Sequence, residues 1–130
     1  MDETRRCPWA KSEHEAAYHD NEWCRPCRDD KALFELLELE GFQAGLTWRL
    51  ILERRQALNA AFAGFDPAVL ANWGEAEIAA ALAAPGVIKN RSKARCAVTN
   101  ARAFLQVQEE WGSFADYLWH WVDGVPVDHR

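Results

Sequence analysis

The sequence predicts an all-α fold, a bundle of about six or seven short helices. Three observations carry this. Apolar residues recur at i, i+3, i+4 spacing along several stretches. Capping residues and Gly or Pro breakers fall between those stretches. No run shows the period of two that a half-buried strand requires.

The elements follow in order. A short helix is expected from Glu13 to Glu22, and the Pro26-containing stretch Cys24–Cys27 reads as a loop. Asp29 or Asp30 can cap the next helix, whose stripe Leu33, Leu36 and Leu37 is continued by Glu40 at i+7. Glu35 and Glu38 then fall on the other face with Lys31 and read as solvated. Gly41 and Gly45 open a turn before a helix starting near Leu46 or Thr47, with Trp48, Ile51, Leu52, Leu58, Phe62 and Phe65 as its apolar residues. Asp66 caps a brief helix that opens on Pro67 and stops by Gly74. An Ala-rich helix from Glu75 to Ala84 ends at Pro85-Gly86. Ser92 can cap a long helix with the stripe Ala94, Ala97, Val98, Ala101, Phe104 and Leu105, ended by Gly112. Ser113 to Asp116 resembles a capping box and opens a last helix through Trp121.

The totals narrow the class. A chain of 130 residues is one domain, and 49% hydrophobic content is ordinary for a globular protein. No apolar run approaches the roughly 20 residues of a membrane span, and no apolar signal-peptide core follows the N-terminus. The expectation is a cytoplasmic protein. Its net charge of −5 argues against generic nucleic-acid binding. Yet Lys89, Arg91, Lys93, Arg95 and Arg102 form a basic stretch free of acids, which can hold phosphates or simply be a solvated helix face.

Several residues can carry chemistry. A carboxylate on an apolar face is costly unless paired or used. Glu40 on its stripe and Trp48 across the Gly-containing turn can form a pocket for a flat polar or cationic molecule, or a buried carboxylate with ordinary core. Trp9, Tyr18 and Trp23 can line that pocket or anchor the N-terminal arm, the second being favoured by spacing alone. Around Gly86 the backbone N–H groups and the start of the following helix suit a phosphate, with Lys89, Arg91 and Lys93 beside them. The plainer reading there is a simple αα-hairpin. Cys7, His19, Cys24 and Cys27 are possible zinc ligands, a complete Cys3His set in principle. His14 reads as exposed, and Cys96 as buried packing beside its helix stripe.

Six segments together resemble one family. They are Cys7-Pro-Trp9, Tyr18-His-Asp-Asn-Glu-Trp23, Leu39 through Trp48, Phe65-Asp-Pro67, Gly86 through Lys93, and Asn100 through Leu105. Their collinear arrangement, up to about Pro126, is similar to that of the type I DNA-3-methyladenine glycosylases. The resemblance implies one domain over 1–130, a helix-hairpin-helix glycosylase-like bundle incomplete at the C-terminus, with its hairpin near 75–107. It implies an enzyme that flips 3-methyladenine out of alkylated double-stranded DNA and releases it as the free base.

By motif position the resemblance makes Glu40 the catalytic carboxylate that hydrogen-bonds the base and Trp48 its stacking partner. Tyr18, Trp9 and Trp23 complete the pocket. Gly86, Val87, Ile88, Lys89, Asn90, Arg91, Ser92 and Lys93 grip the DNA backbone. Cys7 and His19 are the first two ligands of a structural zinc, whose other ligands, a His and a Cys, lie in the further third of chain that family members carry. Cys24 stands where the family usually has Gly, and Phe42 where it usually has a polar residue. A shortened domain implies exposed core and hence self-association. Two other readings follow from the same residues: an inactive helix-hairpin-helix remnant that binds DNA or a protein, and a zinc-knuckle module on Cys7, His19, Cys24 and Cys27.

Overall fold

The computed structural model describes residues 5–129. Among them are seven α-helices and no strand. They are α1 (Glu13–Asn21), α2 (Asp30–Gln43), α3 (Trp48–Ala61), α4 (Pro67–Leu70), α5 (Glu75–Ala83), α6 (Arg91–Trp111) and α7 (Phe114–His120). A single 3₁₀ turn, Ala63–Phe65, joins α3 to α4.

Local chemistry sets most of the boundaries. Ser12 and Glu15 form a reciprocal capping box at α1. Asp29 caps α2, Thr47 caps α3, Asp66 caps α4 ahead of Pro67, and Ser113 caps α7. Gly112 ends α6 at φ +85°. Two expectations shift. Asn90, not Ser92, caps α6, its side chain accepting from Lys93 N at 3.0 Å. Gly41 lies inside α2, so the turn to α3 is made around Gly45, at φ +78°.

The 21-residue α6 is the spine, packing against α2, α4, α5 and α7. The core joins its inner stripe, Ala94, Ala97, Val98, Ala101 and Phe104, to Phe34, Leu39 and Phe42 of α2 and Ile51 and Leu58 of α3. Phe62 and Phe65 complete it, each fully buried. Rings interlock the layers: Phe34 meets Phe104 at 5.0 Å, and Phe42 meets Phe62 at 5.2 Å.

The phase of α2 corrects the sequence expectation. Its buried residues are Phe34, Glu38, Leu39 and Phe42, while Leu37 is 44% exposed and Glu40 is exposed. Leucine or phenylalanine occurs nearly all round this helix, so periodicity alone does not fix its rotation. The two phenylalanines, with the larger area to bury, turn inward and carry Glu38 with them. Glu35 is not merely solvated either. It shares the Arg55 guanidinium with Glu22, so α3 clamps α1 to α2. Cys96, expected to be buried, is exposed.

Candidate base-binding cleft and hairpin

Side chains from α1, the loop before it, α2 and α3 surround an open cleft of about 590 Å³. Trp9, Tyr18, Trp23 and Trp48 supply aromatic faces, and Glu40 a carboxylate. The rings touch in sequence. Tyr18 lies edge-on to Trp48 at 5.3 Å, Trp9 is 6.3 Å from Tyr18, and Trp23 stands edge-on to Trp9 at 5.3 Å. The N-terminal aromatics thus line the cleft as well as pack on one another.

Each wall has a local cause. Trp48 is the first residue of α3, placed there by the Thr47 cap. Glu40 faces the cleft because the inward turn of Phe34 and Phe42 leaves it on the outer side of α2. Burial pushes the Tyr18 hydroxyl pKa up, and the negative charge of Glu40 adds to the rise. The Trp48 Nε1 atom is buried without a hydrogen-bond partner among the described residues.

Three further residues line the cleft without having been singled out in the sequence: Glu15, Gln43 and Arg49. Glu15 falls inside the expected first helix with no role of its own. The Ser12-x-x-Glu15 spacing could have marked it as a capping residue, but its position over the cleft depends on how α1 docks. Arg49 is tied to Glu53 at 3.1 Å.

His19 sits beside the aromatics, stacked on Trp23 at 5.3 Å and edge-on to Trp9 at 5.4 Å. Its Nε2 accepts from Cys7 N at 3.3 Å, and its Nδ1 meets Asp20 Oδ1 at 3.0 Å. Asp20 is held ionised, its pKa lowered to about 2 by Arg6 and then His19. Cys7 and His19 are therefore neighbours. Among the described residues, however, no group of three or more His, Cys, Asp or Glu side chains could hold a metal ion. A structural zinc takes four ligands, so the residues present do not fit one. The alternative set with Cys24 and Cys27 is not assembled. Cys24 instead turns the chain at φ +57°, a left-handed conformation that suits glycine better.

The hairpin between α5 and α6 holds the second cluster. Gly86 adopts φ +79°, and a Cβ there would meet Ala57 Cβ at 3.0 Å, so the turn needs glycine on both counts. Val87 is buried and pins the loop to the core. The basic residues are not equally free. Arg91 and Arg95 both pair with Glu75. Lys93 Nζ donates to Phe42 O at 2.8 Å and Ala44 O at 2.6 Å, closing the C-terminal end of α2. Arg102 donates to Ala71 O. Lys89 is exposed at the loop tip and has no hydrogen bond or ion pair among the described residues.

The methyladenine glycosylase family pattern matches residues 9–130. The chain is 39% identical over 122 residues to DNA-3-methyladenine glycosylase 1 of Escherichia coli (strain K12), covering 93% of this chain and 65% of that protein. It is 38% identical over 125 residues to DNA-3-methyladenine glycosylase of Haemophilus influenzae, covering 95% of this chain and 68% of the relative. It thus spans about two-thirds of the length of these curated relatives. Among solved structures, it resembles 3-methyladenine DNA glycosylase I of Staphylococcus aureus with a TM-score of 0.89 and 36% identity, over 92% of this chain and 64% of that one. A 3-methyladenine DNA glycosylase I variant in complex with 3-methyladenine gives a TM-score of 0.89 at 35% identity, with the same coverage of 92% and 64%.

Proposed function

Membership of the methyladenine glycosylase family, to which this chain belongs, is the premise from which we propose that it excises 3-methyladenine from alkylated double-stranded DNA. The observation that carries the reading is the cleft itself: four aromatic side chains and the Glu40 carboxylate around one opening. A flat cation gains stacking and charge attraction in such a site. Methylation at N3 makes adenine that cation.

The chemistry asks little of the protein. Water attacks the sugar C1′ and gives its proton to solvent, the glycosidic bond breaks, and its electron pair neutralises the ring as the base leaves. No proton need be delivered to the leaving group. The protein's work is then to take the lesion from the helix, at a cost of a few kcal/mol for unstacking, and to hold it. In this reading Trp48 stacks on the base, Glu40 hydrogen-bonds it, and Tyr18, Trp9 and Trp23 enclose it. The hairpin from Gly86 to Lys93 approaches the backbone through its N–H groups and Lys89, since Lys93 is engaged within the protein. The exposed apolar residues Leu118, Trp121, Val125 and Val127 support self-association as well.

A base-release assay on methylated DNA tests the reaction. The expected result is free 3-methyladenine from the wild-type chain, with Trp48→Ala and Glu40→Gln each lowering kcat/KM by roughly 10- to 100-fold. Release unaffected by both substitutions would place the chemistry elsewhere.

A further inference from the structure

We propose that Glu15 is a specificity-determining residue of the cleft, a second carboxylate that makes it favour a cationic purine over its neutral counterpart. The inference deepens the proposed function and rests on it for the identity of the ligand.

Glu15 lies one turn before Tyr18 on α1 and lines the same cleft as Glu40 and Trp48. Its carboxylate is held in place. The Oε2 atom accepts from Ser12 N at 2.8 Å and from Lys11 N at 3.1 Å. The Ser12 N–H, the largest cause, holds its pKa below the ordinary glutamate value, and Arg49 contributes in the same direction. Glu15 is therefore an anion throughout the neutral range.

The charge around the cleft is unbalanced. Glu15 and Glu40 are its carboxylates, and Arg49 is the one cation among its lining residues. The Arg49 guanidinium is shared with Glu53 on its own helix. A positively charged ring entering the cleft would supply the missing countercharge, whereas neutral adenine would gain stacking and hydrogen bonds without the charge attraction. An unmatched anion next to a bound neutral base discriminates by charge where the shapes are nearly the same.

The position of this effect in the reaction can be stated. Positive charge passes from base to sugar as the glycosidic bond breaks. A carboxylate facing the base therefore favours binding more than bond cleavage, and its removal acts mainly on KM.

Glu15→Gln is the informative variant. A glutamine carbonyl can accept from the same two N–H groups, so the capping box survives while the charge is lost. A melting temperature lowered by no more than a few degrees at neutral pH, from the loss of charge assistance in these bonds, checks this. Two readouts follow. In base release from methylated DNA, Glu15→Gln should raise KM about tenfold and change kcat far less. In titrations followed by tryptophan fluorescence, wild type should bind 1-methyladenosine, cationic at neutral pH, more tightly than adenosine. Glu15→Gln should cut that preference about tenfold. A preference equal in both proteins, or absent from wild type, overturns the assignment. A wild-type chain that keeps the Glu15-dependent preference yet releases no 3-methyladenine would sink the proposed reaction while upholding the role of Glu15.

Discussion

At the scale of single residues, Glu38 and Glu40 show how much two positions along a helix decide. They differ by about 200° of rotation, and one meets the core while the other meets the cleft. Glu38 is 2% exposed, and its Oε1 has no hydrogen-bond partner among the described residues. Burial pushes its carboxyl pKa from 4.5 up to about 7, with Asn100 pulling weakly the other way. The folded chain thus holds this proton where the unfolded chain has released it. Stability contributed by the protonated form is full below pH 4.5 and is lost as the pH rises to about 7. Urea unfolding at pH 5 and pH 8 should show the wild type losing up to about 3 kcal/mol from this group. Glu38→Gln should flatten that slope, and an unaltered slope would mean that Glu38 is ionised in the fold. None of this was legible in the sequence. The apolar residues of α2 surround the helix, and only the packing of Phe34 on Phe104 and Phe42 on Phe62 selects which acid goes inside.

At the scale of elements, local patterns show most helix starts but not all: Ser92 competes with Asn90 for the start of α6, and Asn90 caps it. The caps at Asp66 and Ser113 act within a few residues of themselves, so sequence spacing reveals them. Asp29 and Asp30 show where such reading stops. Either could cap α2, and Asp29 does. Asp30 instead reaches across the fold, accepting from Gln108 Nε2, Phe114 N and Ala115 N, and so ties the start of α2 to α6 and α7. That use depends on a neighbour more than 70 residues away, which no local pattern encodes. Asp30→Ala would strip the acceptor from two backbone N–H groups at the start of α7. It should cost about 2–3 kcal/mol in chemical denaturation, against about 1 kcal/mol for Asp29→Ala. Equal losses would show that the tie to α7 contributes nothing. Lys93 is a second case: a basic residue in a phosphate-binding pattern spends its charge on the carbonyls of α2.

At the scale of the whole molecule, the all-α fold and its chain order were legible because helix periods, caps and breakers agree along the sequence. The cleft was legible only as separate motifs. Their convergence requires α1 to dock beside α2 and α3, and α1 has no buried residue of its own. The clamp of Arg55 on Glu22 and Glu35 and the contact of Tyr18 with Trp48 hold it there. Phe42, Ile51 and Leu52, by contrast, root α2 and α3 in the core. Hydrogen exchange should therefore be fastest at α1 among the three helices, and should slow there when a purine fills the cleft. Equal protection of α1 and α2 in the free protein would refute this. Such a cleft has one firm wall and one that is ordered at a cost to binding. A ligand touching Tyr18 and Trp48 together would serve as the hydrophobic core that α1 lacks, so recognising the base and finishing the fold would be a single equilibrium.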